Sequence, residues 1–232
     1  MKAFRFQQFD IAQSTGVFRV GTDAVLLGAL AEVEQARQIL EVGTGTGIIS
    51  LMLAQRNPEA IITAIDINPE AAELSHNNFL RSPFSCRMMS YCIDFKDVGT
   101  EKKFDLIFSN PPYFEINASE KDVLARQRLE LDFSDLIQKS SELLSSEGLF
   151  SVIIPVNYKE EFTRICSQSR LFLVRSILIR GIQTAEPKRV ILEYSFNPTV
   201  AKEEYLVIEK AQRVYSDEYL ELTKDFHIFT KK

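Results

Sequence analysis

The sequence predicts an α/β fold in which a mostly parallel, twisted sheet of seven strands carries helices on both faces. Short apolar runs alternate with helical patterns from about Ile39 onward, which is typical of βαβ units. The 232 residues are 45% hydrophobic and 25% charged, enough to bury one large core. The chain shows no internal repeat or low-complexity tract. We therefore expect one domain over 35–232, preceded by an N-terminal segment over 1–34.

Each predicted element follows from the local pattern. The strands are short apolar runs, at 39–42, 60–65, 87–91, 104–108, 149–154, 172–179 and 190–196. The helices are helical-period segments, at 48–56, 69–79, 133–144, 159–168 and 215–229. Pro69 suits the first turn of its helix, and Thr22 or Asp23 is well placed to cap a short helix in the N-terminal segment. The stretch 114–132 lacks periodicity, and long loops at the carboxyl ends of strands tend to hold substrates.

Charge and cysteine content argue against several function classes. The net charge is −5, and the three cysteines occupy no paired ligand spacing, so we expect reduced thiols rather than disulfides or a zinc site. With His76 and His227 as the only histidines, a histidine-based metal centre is close to excluded. The first ten residues lack an apolar h-region, and the longest apolar runs, such as 25–31, are too short to cross a bilayer. A cytoplasmic protein without a metal is the prediction.

A glycine-rich turn joins the first predicted strand to the first sheet helix, in the run Glu41-Val42-Gly43-Thr44-Gly45-Thr46-Gly47-Ile48. Its glycines let the backbone turn tightly and let a ligand approach the main chain. A dinucleotide fold wants a third glycine three residues after the second, but that position is Ile48. Glu41 would repel a pyrophosphate but could pair with S-adenosylmethionine, which carries an ammonium group and a sulfonium. The loop therefore resembles that of Rossmann-like methyltransferases, and a glycine connection that binds nothing is the alternative.

Two carboxylates follow later strands. Asp66 closes the second strand, roughly where an acidic residue takes ribose hydroxyls. Its alternative role is to cap the helix that begins at Pro69. Asp94 follows the third strand, and in the methyltransferase class the equivalent carboxylate accepts a hydrogen bond from the adenine amino group of the cofactor. A turn or N-cap aspartate is the alternative for Asp94.

The run Asn110-Pro111-Pro112-Tyr113 ends the fourth strand and predicts the reactive centre. The Asn110 side-chain carbonyl and the Pro111 backbone carbonyl can each accept a hydrogen bond from the same NH2 group. The two prolines stiffen the turn, so these acceptors are held before the substrate arrives. Tyr113 offers a flat face on which a planar substrate can stack. A plain Pro-Pro turn is the alternative.

The chemistry of a conjugated amino group explains this pattern. Its nitrogen shares its lone pair with the ring or carbonyl and is a weak nucleophile. Two acceptors on its hydrogens favour a tetrahedral nitrogen and tolerate its developing positive charge. Positioning and electrostatics then provide most of the help, and no metal or covalent intermediate is needed.

A basic stretch distinguishes the C-terminal half of this acidic chain. Seven basic residues lie between 156 and 190, against three glutamates. A local basic face of this kind can attract phosphates. An ordinary solvated surface with alternating charge is the alternative.

At this point the chain resembles the amino-group methyltransferases with an Asn-Pro-Pro-Tyr motif, whose branches modify adenine N6, guanine N2 or glutamine N5. It is most similar to the bacterial tRNA methyltransferases that modify adenine 37 of a valine tRNA at N6. The similarity runs through nearly the whole chain and is carried by Phe4-Arg5-Phe6-Gln7-Gln8-Phe9, Val20-Gly21-Thr22-Asp23, Leu51-Met52-Leu53-Ala54-Gln55-Arg56, Ala125-Arg126, Pro187-Lys188-Arg189-Val190 and the closing segment 215–219 with Phe226. One departure is Phe226-His227-Ile228, where a second aromatic is expected, so His227 is interpreted as structural.

The resemblance implies a fold, a cofactor, a substrate and a set of site residues. The fold is that of Rossmann-like S-adenosylmethionine-dependent methyltransferases, and the substrate is the single-stranded anticodon loop of a tRNA, whose bases can be splayed out. The residues implied to hold the cofactor are Thr22, Asp23, Glu41, Gly43, Gly45, Asp66, Asp94 and Asn110, the first two as part of a flap. Those implied to hold the target base are Asn110, Pro111, Pro112 and Tyr113. Those implied to hold RNA phosphates are Arg126, Lys188 and Arg189, with a surface or structural salt bridge as the alternative for each arginine.

Three other functions stay open from the sequence. A glutamine N5 methyltransferase acting on a protein release factor usually carries a distinct helical N-terminal domain, whereas only some forty residues precede the first predicted strand here. A guanine N2 enzyme acting on rRNA often has Phe after the prolines. A catalytically idle RNA-binding module is disfavoured by the intact Asn110 and Tyr113. The expected partner is a tRNA, and the expected assembly is a monomer or a weak homodimer.

Overall fold

The computed structural model describes residues 3–111 and 133–228 of the chain. A two-stranded hairpin of β1 (Phe4–Arg5) and β2 (Asp10–Ile11) comes first, and a nine-stranded sheet follows. The strands of this sheet are β3 (Gln38–Val42), β4 (Ile61–Asp66), β5 (Met88–Cys92), β6 (Phe104–Ser109), β7 (Leu144–Pro155), β8 (Phe172–Ile182), β9 (Arg189–Ser195), β10 (Lys202–Ala211) and β11 (Val214–Tyr215). The α-helices are α1 (Thr22–Leu30), α2 (Ile48–Arg56), α3 (Pro69–Leu80), α4 (133–143), α5 (Lys159–Gln168) and α6 (Asp217–Thr223).

The sheet confirms the predicted, mostly parallel α/β architecture. Its strand order is β11-β10-β8-β9-β7-β6-β3-β4-β5, and β5, β4, β3, β6 and β7 pair in parallel. β9 is antiparallel to both of its neighbours, β7 and β8. Successive residues of β3 point to opposite faces. Ile39 belongs to one core with α1 and α2, and Leu40 belongs to another with α4 and α5, so helices cover both faces.

Within the described residues the sheet has nine strands rather than the predicted seven, because β10 and β11 extend it beyond β8. In β10 only Leu206 is buried, so the segment lacks the apolar run that marks the inner strands. β10 nevertheless pairs with β8 in parallel, from Lys202 opposite Arg175 to Glu209 opposite Ile182. Main-chain hydrogen bonding near the sheet edge, rather than side-chain burial, defines this strand.

The closing helix is shorter than the predicted segment 215–229, because α6 spans only Asp217–Thr223. Ser216 starts the helix, since its hydroxyl accepts a hydrogen bond from Tyr219 N at 3.0 Å. Two amides beyond the helix, those of residues 226 and 227, both donate to Thr223 O at 3.0 Å and close its last turn. The apolar pattern of the sequence therefore continues beyond the end of α6. The residues that carry it there form a packed turn rather than a helix.

The N-terminal segment packs into the main core. Leu26 of α1 is fully buried, and Gly28 lies so close to α2 that an added Cβ would come within 2.8 Å of the Met52 sulfur. The segment also reaches the end of the chain, because Phe6 forms a bridge with His227 and their rings stack with centroids 5.6 Å apart. His227 thus packs against the hairpin that opens the chain.

The described ranges contain neither a helix fit to span a membrane nor a cluster of metal ligands. None of their helices combines the length and the apolar character that crossing a bilayer requires. Within the same ranges, no group of three or more histidine, cysteine or acidic side chains could hold a metal ion. Cys86, Cys92 and Cys166 are free thiols, of which Cys166 is buried.

Candidate active site

The carboxyl ends of β3, β4 and β6 lie side by side and bring three predicted site regions together. β3 lies between β4 and β6, with Val42 opposite both Ile65 and Ser109. The residues that follow these three positions are the glycine loop, Asp66 and Asn110. After β3 the chain continues to β4, which is one neighbour of β3 in the sheet, whereas β6 is the neighbour on the other side. Open α/β sheets bind their ligands at such a switch point.

The glycine loop turns sharply and is open on one side. Gly43 N donates to Ile65 O at 2.9 Å, which ties the loop to β4. Gly43, Gly45 and Gly47 have φ angles of 77°, 54° and 78°, in the region that favours glycine. A Cβ added at Gly47 would lie 2.5 Å from the Phe79 ring, whereas one added at Gly43 would meet nothing within 4 Å. The loop is therefore packed against α3 at Gly47 and accessible to a ligand at Gly43.

Glu41 is buried beneath this loop, with 1% of its surface exposed. Its Oε2 accepts hydrogen bonds from Thr44 Oγ1 at 2.7 Å and from Ser50 Oγ at 2.5 Å. Burial raises the pKa of Glu41 to about 8, and the negative charge of Asp66 adds to that rise, while the two hydroxyls oppose it. The carboxyl group therefore joins the loop to the first turns of α2. Sequence analysis did not identify Thr44 and Ser50 as its partners.

Asp66 joins the glycine loop to the start of α3. Its Oδ2 accepts a hydrogen bond from Gly45 N at 2.9 Å, and its Oδ1 accepts one from Asn68 N at 2.9 Å. The side chain of Asn68, rather than that of Asp66, caps α3 by accepting from Glu70 N at 2.9 Å. The alternative role of Asp66 as the helix cap is therefore wrong.

Asp94 lies next to Asp66 along the same edge of the sheet. Ile93 N donates to Asp66 O at 3.1 Å, and Asp94 Oδ1 accepts from Lys96 N at 3.0 Å, which caps a short 3-10 helix. The capping role considered for Asp94 is thus confirmed, and it occupies one of the two carboxylate oxygens. Ile67, which directly follows Asp66, is 70% exposed. Sequence analysis missed Ile67, since an isoleucine after a strand gives no sign of being exposed.

Asn110 and Pro111 follow β6 directly, and both are half-buried. Ser109 Oγ donates to Val42 O at 2.8 Å and holds the ends of β6 and β3 together. Asn110 therefore lies one residue beyond the hydrogen bond that joins β6 to β3, and the glycine loop follows β3. The predicted site residues Pro112, Tyr113 and Arg126 lie outside the described residues, as does the loop over 114–132.

An N-terminal strap, defined as residues 12–21, is held beside the glycine loop by Asn78 of α3. Asn78 is 1% exposed. Its Oδ1 accepts from Ala12 N at 2.9 Å, and its Nδ2 donates to Ala12 O at 3.1 Å and to Thr46 O at 2.9 Å. One buried amide thus binds both the strap and the loop. Sequence analysis missed this residue, because an asparagine inside a helical pattern does not reveal two distant partners.

Thr22 and Asp23 mark the end of the strap and the start of α1. The N-cap of α1 is Gly21 and no side chain caps it, so the prediction that Thr22 or Asp23 does so is wrong. Asp23 Oδ2 instead accepts a hydrogen bond from Arg189 Nε at 2.9 Å. Arg189 is the first residue of β9 and lies opposite Pro155, the last residue of β7. This ion pair therefore lies at the same carboxyl edge as the glycine loop.

The basic stretch of the C-terminal half is largely paired with acids of the same chain. The ion pairs are Lys159–Glu203 at 3.2 Å, Arg164–Glu161 at 2.6 Å, Arg175–Glu193 at 3.3 Å and Arg189–Asp23 at 2.9 Å. Lys188 is exposed. For these four basic residues, the pairs agree with the alternative interpretation, a surface of alternating charge.

Comparison with known proteins gives consistent results. Residues 8–169 match the protein family described as Methyltransferase small domain. The chain is 57% identical to a tRNA1(Val) (adenine(37)-N6)-methyltransferase of Flavobacteriaceae bacterium (strain 3519-10), over 99% of this chain and 100% of the relative. It is 39% identical to a protein of the same name from Porphyromonas gingivalis (strain ATCC BAA-308 / W83), over 97% of this chain and 94% of the relative.

Solved structures share the fold at low sequence identity. A predicted O-methyltransferase from Agrobacterium tumefaciens superposes with a TM-score of 0.68 at 20% identity, over 88% of this chain and 96% of that one. A ribosomal protein L11 methylase from Lactobacillus delbrueckii subsp. bulgaricus gives 0.55 at 19% identity, over 80% and 84%. The predicted Rossmann-like methyltransferase fold is therefore confirmed.

Proposed function

The chain belongs to the family of tRNA1(Val) (adenine(37)-N6)-methyltransferases, and on that basis we propose that it methylates N6 of adenine 37 in the anticodon loop of a valine tRNA. The pairing of Val42 with Ser109 supports this reaction most directly, because the glycine loop and the Asn110 motif begin at these two neighbouring positions. N-methylation requires a cofactor site next to acceptors for the amine hydrogens. The glycine loop and the Asn110 motif are neighbours in this way.

We propose S-adenosylmethionine as the methyl donor, held at the carboxyl ends of β3, β4 and β5. The open face of Gly43 fits the approach of a ligand to the main chain. Asp66 uses two of roughly four carboxylate lone-pair sites, so it can still accept from ribose hydroxyls. Ile67 offers an exposed apolar surface to the adenine, and Asp94 an acceptor for its amino group. Glu41 keeps the loop in shape. When bound, the cofactor supplies an electrophilic methyl group on a sulfonium.

The residues of the chain then prepare the amine. The Asn110 side-chain carbonyl and the Pro111 backbone carbonyl accept hydrogen bonds from the two hydrogens of the adenine amino group. Both acceptors draw the nitrogen lone pair out of conjugation with the ring, and both stabilise the positive charge that develops on that nitrogen. Tyr113 supplies a face for base stacking, which offsets the free energy needed to splay the base out of the anticodon loop.

Two enzymatic alternatives share this geometry and differ in the acceptor. A glutamine N5 methyltransferase would transfer the label to a protein release factor, and a guanine N2 enzyme would transfer it to rRNA. A catalytically idle RNA-binding module would bind the cofactor without any turnover. The family membership favours the tRNA, since the identity extends over the whole chain rather than over the cofactor-binding half alone.

The substrate can be tested with the labelled cofactor and three acceptors offered together: total tRNA, rRNA and a release factor. We expect label in the tRNA fraction, in N6-methyladenosine at position 37 of a valine tRNA, as identified by nucleoside mass spectrometry. Label in N2-methylguanosine, or in protein alone, would select one of the alternatives. Cofactor binding in calorimetry without label in any fraction would favour the idle module.

The proposal also includes RNA contacts by Arg126, Lys188 and Arg189, a cytoplasmic location, and a monomeric or weakly dimeric state. Lys188 gives the cleaner test of RNA contact, because reversing Arg189 would also repel Asp23. Lys188→Glu should weaken tRNA binding and lower the slope of log affinity against log salt by about 1 to 2. An unchanged affinity and slope would remove Lys188 from the RNA interface.

A further inference from the structure

We propose that Phe18 and Arg19 of the strap form a contact site for single-stranded RNA, in which Phe18 stacks on a base next to the target adenine and Arg19 pairs with a neighbouring phosphate. This inference rests on the proposed function and adds to it a substrate-binding element beside the glycine loop.

The strap is anchored on one side of the reactive centre. Val17 is 8% exposed, and its side chain lies 3.9 Å from where a Cβ at Gly45 would be. Asn68 Nδ2 donates to Gly16 O at 3.4 Å, so the strap also touches the start of α3. Both contacts are with segments that follow β3 and β4.

The strap is anchored again on the other side of the reactive centre. Asp23 pairs with Arg189, opposite Pro155 at the end of β7. The strand order from this anchor to the first one is β9-β7-β6-β3. At about 4.8 Å per strand the two anchors are roughly 14 Å apart, and residues 17–23 can span about 20 Å when extended. Residues 17–23 are therefore long enough to pass the end of β6, which is the strand that Asn110 follows.

Phe18 and Arg19 lie between these two anchors, directly after Val17, and both face solvent. Phe18 is 85% exposed, and the only other exposed phenylalanine in the described residues is Phe172, at 38%. Arg19 has no ion-pair partner within 3–111 or 133–228, in contrast to the paired Arg189 nearby. The fold thus holds an aromatic ring and an unpaired cation in water on a segment fixed at both ends.

This pair of side chains matches the chemistry of unpaired RNA. Aromatic rings bind nucleobases by stacking without regard to sequence, and guanidinium groups bind phosphates. An exposed phenylalanine on a fixed segment loses little conformational freedom when a base covers it. The nucleotides that flank adenine 37 in the anticodon loop are single-stranded and provide both partners.

A tryptophan reporter tests the stacking directly, because the chain contains no tryptophan. Phe18→Trp would make position 18 the sole indole, and we expect its fluorescence to be quenched by a valine-tRNA anticodon stem-loop. S-adenosylhomocysteine alone should leave it nearly unchanged. The matched control is Val200→Trp, since Val200 is 96% exposed and precedes β10, at the opposite edge of the sheet. Quenching of both reporters alike, or quenching of Phe18→Trp by S-adenosylhomocysteine alone, would overturn the proposal.

Kinetics with the full tRNA separate stacking from simple bulk. Phe18→Ala should raise the KM for tRNA about 5- to 150-fold with a smaller change in kcat, as expected for the loss of one stacked base. Phe18→Tyr should restore the KM, whereas Phe18→Leu should not. Cofactor affinity should stay unchanged in all three variants. Equal KM values for the leucine and tyrosine variants, or a wild-type KM for Phe18→Ala, would refute the stacking role.

The phosphate contact has its own readout. Arg19→Ala should lower the slope of log affinity against log salt by about 1, and Arg37→Ala, an exposed arginine at the amino end of β3, should not. Equal slopes for the two variants would remove Arg19 from the proposal. If the wild-type protein methylates and binds tRNA while these variants behave like it, the inference fails and the proposed function stands. If the wild-type protein neither binds nor methylates tRNA, both fail.

Discussion

Replacing Glu41 with glutamine should make the cofactor-free protein more stable at alkaline pH and leave its stability nearly unchanged at acid pH. The ordinary pKa of a glutamate is 4.5, and burial raises that of Glu41 to about 8 in the folded chain. The folded state therefore holds this proton more tightly than the unfolded state does. The stability that the protonated Glu41 contributes is fully present below about pH 4.5. It falls as the pH rises, and the loss levels off above about pH 8. Glutamine is neutral at every pH and can still accept the hydrogen bonds of Thr44 and Ser50.

The size of the effect follows from the same two values. Each tenfold change in proton affinity corresponds to about 1.4 kcal/mol, so the interval from 4.5 to about 8 gives on the order of 5 kcal/mol at pH 9. Urea unfolding at about pH 5, 7 and 9 measures this difference between wild type and Glu41→Gln. Glu73→Gln, on the exposed face of α3, is the matched control and should show no such trend. A difference between wild type and Glu41→Gln that stays constant over this pH range would refute the buried, protonated state of Glu41.

Three further predictions concern the glycine loop and the core. Asp66→Ala should weaken the binding of S-adenosylhomocysteine about 10-fold or more, since it removes the proposed ribose acceptor and the hydrogen bond to Gly45 N; calorimetry with undiminished affinity would contradict this role. Gly47→Ala should destabilise the fold by about 2 kcal/mol or more, because its φ is 78° and the new Cβ would meet Phe79; a variant with wild-type unfolding would show that the loop can relax. Arg175→Met should cost about 3–5 kcal/mol, since it leaves Glu193, which is 1% exposed, without its charged partner; equal stability at neutral pH would contradict a stabilising role for this ion pair.

The inner part of the fold could be predicted because parallel strands covered on both faces form continuous apolar runs. The segment 104–108 was predicted as a strand, and it agrees with the observed Phe104–Ser109 within one residue. β10 could not be found in this way. Its register with β8 is set by backbone hydrogen bonds, and charged residues dominate both of its ends. The side-chain pattern therefore gives little indication of β10, which lies near the sheet edge and buries a single side chain.

The site was predictable where chemistry follows strand ends, and hidden where it depends on distant contacts. The glycine loop, Asp66 and Asn110 follow apolar runs directly, so the sequence indicates the edge of the sheet on which they lie. Asn78 binds residues 66 and 32 positions away in the chain, and no local pattern reveals such partners. The exposure of Phe18 is hidden in the same way, because only the packed structure shows which phenylalanines of the chain are not in its core.

Single-turnover methylation by Asn110→Ala tests the reaction at this site most directly. The assay uses a valine-tRNA anticodon stem-loop and labelled cofactor, with S-adenosylhomocysteine affinity measured on the same variant. The rate should fall on the order of a hundred- to a thousandfold, because one acceptor of the developing positive charge is lost, while cofactor affinity changes little. Asn197→Ala, an exposed asparagine after β9, should keep the wild-type rate. Methylation of adenine 37 by Asn110→Ala at the wild-type rate would contradict the proposed role of the Asn-Pro-Pro-Tyr motif.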